Sequence, residues 1–70
     1  MERHRVSSSN IESIGYDSSD EILEIKFLEG GIYQYFNVPY EKYESLMNAS
    51  SKGSYFARVI KDKYRYRRIK

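Results

Sequence analysis

An α+β fold is expected for these 70 residues, and three observations predict it. Strand-forming segments fill the first half. The clearest is Ile22-Leu23-Glu24-Ile25-Lys26-Phe27, in which apolar and charged residues alternate. Two short apolar stripes at helical spacing follow Pro39. The chain then closes on a basic segment. The expected architecture is a three-stranded antiparallel meander, two short helices on one of its faces, and a C-terminal segment that either adds an edge strand or stays a solvated tail. Seventy residues make a single domain, with an ordered part expected over about residues 6–69.

Residues 1–10 are polar and read as a frayed start, with Ser7-Ser8-Ser9-Asn10 as a turn or an extended lead. Ile11, Ile14 and Tyr16 mark a short first strand. Asp17-Ser18-Ser19-Asp20 is a turn whose side chains favour bending back. In the second strand Leu23, Ile25 and Phe27 line one face, with Glu24 and Lys26 on the other. Glu29-Gly30-Gly31 reads as a hairpin turn before the third strand, Ile32 to Val38, which is rich in β-formers.

Loop length decides which way Tyr33 and Tyr35 point. A two-residue Gly30-Gly31 loop pairs Phe27 with Gln34 and turns both tyrosines away from the Leu23, Ile25 and Phe27 stripe. A three-residue loop with a glycine bulge pairs Phe27 with Tyr33 and Ile25 with Tyr35. The second register is favoured. It keeps the Gln34 amide out of the core, where an unpaired polar group would cost about 1–3 kcal/mol. Tyr33 and Tyr35 are then core residues rather than an exposed stacking platform.

Pro39 suits the first helical position, because its missing N–H would be unpaired there. Glu41 and Glu44 lie near the positive helix end. Tyr43, Leu46 and Met47 form one stripe, and Asn48-Ala49-Ser50 ends the helix. A second helix starts around Ser50 to Ser54, where serine can cap, with Tyr55, Phe56, Val59 and Ile60 as its stripe. Beyond Lys63 the helical signals fade. As a strand, the tail would place Tyr64 and Tyr66 on one side and Arg65, Arg67 and Ile69 on the other.

Charge is unevenly distributed. Residues 58–70 carry seven of the twelve Lys and Arg and one acid, Asp62, while residues 1–57 carry five basic and nine acidic residues. A basic end with interleaved tyrosines can face a polyanion such as RNA, since Lys and Arg neutralise phosphates and aromatic rings stack on bases. The residues expected to do so are Arg58, Lys61, Lys63, Arg65, Tyr66, Arg67 and Arg68.

Catalysis is not expected. His4 is the only histidine and there is no cysteine, so neither a zinc site nor a Ser or Cys nucleophile with its base can be assembled. The glycines lack the phosphate-loop pattern, and the Asp17, Asp20 and Glu21 turn lacks calcium-loop spacing. No cofactor and no metal are expected. No apolar run approaches the roughly 20 residues that span a bilayer, so no membrane contact is expected. Met1 to Arg5 lead into serines rather than an apolar stretch, so no signal peptide is expected. The expected compartment is the cytoplasm.

In order along the chain stand Ser8-Ser9-Asn10-Ile11, Ile14-Gly15-Tyr16-Asp17, Tyr33-Gln34-Tyr35, Val38-Pro39, Tyr43 and Leu46, Ser51-Lys52-Gly53-Ser54-Tyr55-Phe56, then Ile60 and Tyr64. Together they resemble the KTSC domain, the short module at the C-terminus of some lysyl-tRNA synthetases that also occurs as a stand-alone small bacterial or phage-type protein. Tyr33-Gln34-Tyr35 matches that family's Tyr-x-Tyr motif. The resemblance implies no catalytic residues, and it implies RNA binding only through the family's company with tRNA synthetases. The sequence therefore points to a non-catalytic module that contacts RNA, tRNA-like in kind, through its basic C-terminal segment. The alternative is a protein-interaction or self-associating accessory module.

Overall fold

The computed structural model describes all of residues 1–70. Five antiparallel strands lie in sequence order across one sheet: β1 (Arg3–Arg5), β2 (Ile11–Asp17), β3 (Ile22–Phe27), β4 (Ile32–Tyr35) and β5 (Tyr66–Arg68). The fold is α+β as expected, but the meander has two more strands than the three the sequence shows. Arg3–Arg5, read above as frayed, pairs with β2, and the basic tail becomes the edge strand beside β4.

The β3–β4 hairpin keeps the expected faces in a shifted register. Leu23 pairs with Tyr35, Glu24 with Gln34 and Ile25 with Tyr33. The loop has three residues, but they are Leu28, Glu29 and Gly30. The Gly30 N–H donates to the Phe27 carbonyl at 2.8 Å, and the Phe27 N–H donates to the Gly31 carbonyl at 2.9 Å. Gly30 sits at φ +115°, where a side chain would be strained. A shift of two residues preserves side-chain parity, so both tyrosines still face the Leu23 and Ile25 stripe.

A bulge in β2 solves a parity conflict. Ile11 and Ile14 are three residues apart, so a regular strand would point them to opposite faces. The register shifts between Ile11 and Ser13, and both isoleucines are fully buried. The turn that follows is held by Asp17. Its Oδ1 accepts from the Ser19 and Asp20 N–H groups at 3.0 and 3.3 Å and from the Ser19 hydroxyl at 3.0 Å. These bonds, the Ser19 hydroxyl first, hold the Asp17 carboxyl below the usual range.

Helix α1 (Tyr40–Asn48) begins one residue after Pro39, which occupies the cap itself rather than the first turn. Leu46 is buried, with Tyr43 and Met47 partly so. Helix α2 (Lys52–Tyr55) is capped by Ser51, whose Oγ accepts from the Ser54 N–H at 3.4 Å. It then widens into a π-helical turn over Phe56–Ile60, closed by the Lys61 N–H on the Phe56 carbonyl at 2.9 Å. Phe56 and Ile60 point into the core with Ile11, Ile14, Leu23, Ile25, Tyr35, Val38 and Leu46. All helical segments thus cover one face of the sheet.

The uncovered face carries a polar row from edge to edge. The pairings align Arg3, Gly15, Glu24, Gln34 and Arg67. Arg3 crosses over Gly15 to an ion pair with Glu24, while the Gln34 amide donates to Glu24 at 2.8 Å. A side chain at Gly15 would meet the Glu2 carbonyl at 2.6 Å and Arg3 Cγ at 3.1 Å. Gly15 is therefore what lets β1 lie close enough for Arg3 to cover Glu24, which is only 4% exposed. A buried carboxylate tolerates that position because both partners satisfy it.

Candidate nucleic-acid interface

The helices leave the β4–β5 end of their sheet face open. There a groove of about 630 Å³ is lined by Phe27, Tyr33, Tyr35, Phe56 and Tyr66, with Asn10, Lys61 and Asp62 on its walls. That size falls within the roughly 300–1,000 Å³ of small-molecule clefts. The hairpin supplies Phe27 and Tyr33, the π-helical turn supplies Phe56 and Ala57, and β5 supplies Tyr66. The rings form one connected cluster. Phe56 meets Phe27 and Tyr35 edge-on at 5.5 and 5.3 Å, and Tyr66 lies 5.6 Å from Tyr35 and 6.0 Å from Tyr33.

The two motif tyrosines take different roles. Tyr35 is core, only 4% exposed. Its burial, ahead of the nearby Tyr33, Tyr66 and Asp62, pushes its hydroxyl up to about 12. Tyr33 is half-buried and packs against the core while lining the groove. The expectation that both are core residues is corrected for Tyr33. Its ring sits near the sheet's open end, where no helix reaches it.

Strand alternation divides the basic tail between the two sheet faces. Tyr66 pairs with Tyr35 and Arg68 with Tyr33, so both lie on the groove side, and the Arg68 guanidinium stands 5.7 Å from the Tyr33 ring centre. Arg67 pairs with Gln34 and lies on the opposite, uncovered face. Arg65 precedes the strand, in a shallow hollow with Asp62, Lys63, Tyr64 and Tyr66. Lys61 lies on the groove wall. Arg58 and Lys63 are exposed on the helical side, on the π-helical turn and just after it. The seven residues expected to contact nucleic acid therefore do not form one patch. Only Tyr66, Arg67 and Arg68 stand on β5, with Arg67 on the face opposite the other two.

Several groove residues escaped the sequence reading. Phe27 and Phe56 looked like ordinary core, Asn10 like part of a turn, and Asp62 like a stray acid in a basic run. Gly53 was the available signal. A side chain there would meet Asn10 Oδ1 at 2.5 Å, so the glycine lets the Ser8–Asn10 segment close against α2 and form one wall.

A second aromatic cluster joins β2 to α1. Tyr16 stacks on Tyr43 at 4.8 Å and 10°, with Tyr40 5.9 Å from each. The Tyr16 hydroxyl donates to the Val38 carbonyl at 2.6 Å, and burial, followed by Glu21, Glu41 and Asp17, raises its pKa. This cluster ties α1 to the sheet and borders a smaller cleft of about 380 Å³. No helix is long and apolar enough to cross a membrane, and no three His, Cys, Asp or Glu side chains group as metal ligands.

The comparisons with known proteins bear on the family and the fold. The KTSC domain family model matches residues 7–64. A protein of Stutzerimonas stutzeri (strain A1501) is 43% identical over 70 residues, covering 99% of both chains. A lysine–tRNA ligase of Trichormus variabilis is 41% identical over 61 residues, or 87% of this chain but 11% of that protein. The crystal structure of a KTSC domain protein from Yersinia pestis superposes with a TM-score of 0.96 at 49% identity, covering 99% of this chain and 97% of that one. The chain belongs to the KTSC domain family.

Proposed function

We propose that this domain is a non-catalytic module that contacts single-stranded or looped RNA, with the strand's phosphates along the free edge of β5 and its bases turned into the aromatic groove. The observation that carries this reading is the split of β5. It sets Tyr66 and Arg68 beside an open cluster of rings while Arg67 flanks the same edge from behind. Rings that stack on bases and cations that follow a backbone are the two components of single-strand binding. The similarity to a segment of a lysine–tRNA ligase supports an RNA as the polyanion.

Tyr66 is 58% exposed, so its ring is available to a base and contributes little to the core. Tyr66→Ala is expected to weaken binding of a short unstructured RNA by about 1–3 kcal/mol, the usual worth of one base–aromatic stack. Its melting temperature should stay within a few degrees of the parent. Tyr40 is the control, because it is 53% exposed and its ring packs only on Tyr16 and Tyr43, outside the groove. Tyr40→Ala should leave affinity unchanged. Fluorescence anisotropy with a labelled oligonucleotide at constant salt reads both. Equal losses in the two variants, or no loss in Tyr66→Ala, would refute the placement of bases in the groove.

A further inference from the structure

The groove wall carries a feature that phosphate binding does not explain. Asp62 is the one acid among seven basic residues in 58–70. A carboxylate at a phosphate-binding surface repels the ligand, so neutralising a cation would be the simplest reason for it. It does not do that: the molecule's ion pairs are Arg3–Glu24 and Lys26–Glu12, and Asp62 takes part in neither. Asp62 is exposed and lines the groove together with Lys61 and Asn10. Asn10 Oδ1 accepts from the Ser8 hydroxyl at 3.2 Å, which leaves its Nδ2–H groups available as donors.

We propose that the groove selects an unpaired guanine, with Asp62 as the residue that reads it; this rests on the RNA reading above. An unpaired base offers its Watson–Crick edge to side chains. Guanine alone presents two adjacent donors there, N1–H and the exocyclic N2 amine, and a carboxylate's two oxygens accept both. Adenine and cytosine place a ring-nitrogen lone pair beside their amine, and uracil flanks its N3–H with two carbonyls. Each of those would set a lone pair against the carboxylate. The guanine O6 and N7 acceptors suit the Lys61 ammonium and the Asn10 amide on the same walls. Tyr33 and Tyr66 supply the stacking surface.

The test compares 5-mer RNAs of four uridines around a central guanosine, inosine, adenosine, cytidine or uridine. Inosine keeps the ring shape and N1–H but lacks the N2 amine. The wild type should prefer guanosine to inosine and to the other bases by about tenfold, the worth of a good bidentate pair. Asp62→Asn should bring the guanosine-to-inosine ratio close to one. It should bind the all-uridine strand at least as well as the wild type, because it removes a negative charge. Circular dichroism checks that the variant is folded. Equal affinity of the wild type for guanosine and inosine strands, with binding intact, would overturn guanine selection and leave the RNA reading standing. A preference that survives Asp62→Asn would overturn the role of Asp62. No binding to any strand at low salt would overturn both readings.

Discussion

Tyr35→Ala is expected to remove most of the stability of this domain. Tyr35 is buried and holds the hairpin against the π-helical turn through Phe56, with Tyr33 and Tyr66 on its other sides. Truncating a large buried aromatic costs about 3–5 kcal/mol. At about 0.05–0.15 kcal/mol per residue, a chain of this length has about 4–10 kcal/mol in total. Thermal or urea unfolding followed by circular dichroism should show a large drop in midpoint or no cooperative transition. Tyr33→Ala should cost clearly less, because part of its ring already faces the groove. Tyr35→Phe should fold well and report on the hydroxyl. With its pKa near 12 in the folded protein against 10.0 for an ordinary tyrosine, the folded state holds that proton more tightly than the unfolded chain. The wild type therefore loses stability as pH rises from about 10 to 12, and not below. Tyr35→Phe should show a shallower decline. A Tyr35→Ala protein that melts within a few degrees of the parent would contradict the core assignment.

Replacing Arg65, Arg67 and Arg68 together with Ala should weaken RNA binding by about two orders of magnitude at 0.1 M salt. Each phosphate contact to a single strand contributes about −0.7 to the log–log salt slope. Four contacts give a slope of roughly −3, and losing three flattens it by about 2. The loss should be alike for every RNA sequence, because phosphate contacts position a strand without reading it. All three side chains are exposed and β5 is held to β4 by its backbone, so the fold should persist. Titrations at several salt concentrations, wild type and triple variant side by side, measure the slope. An unchanged slope in the variant would move the phosphate path away from β5.

Much of the fold was legible because its central strands obey simple periodicities. Leu23, Ile25 and Phe27 alternate with charged residues, and the parity of Tyr66 against Arg67 held when Tyr66–Arg68 proved to be a strand. β1 was not legible. Arg3-His4-Arg5 has no apolar alternation, and its place depends on a missing side chain at Gly15 and a carboxylate at Glu24, both distant in sequence. The hairpin register was off by two because the three-residue loop closes on Gly30 at positive φ, and Gly31 instead enters the pairing. The groove was hidden for a related reason. Its walls come from five separated segments, and the π-helical turn that brings Phe56, Ala57 and Lys61 to it leaves no pattern that a helical period would reveal.

The most direct measurement of the central idea is an NMR titration that follows the aromatic ring resonances as a short unstructured RNA is added. The two ring clusters make no ring contact with each other, so each serves as the control for the other. The expected result is that Phe27, Tyr33, Phe56 and Tyr66 shift and saturate together, while Tyr16, Tyr40 and Tyr43 stay in place. Shifts confined to the Tyr16 cluster, or to the uncovered face around Gln34 and Arg67 with the groove rings unmoved, would contradict it.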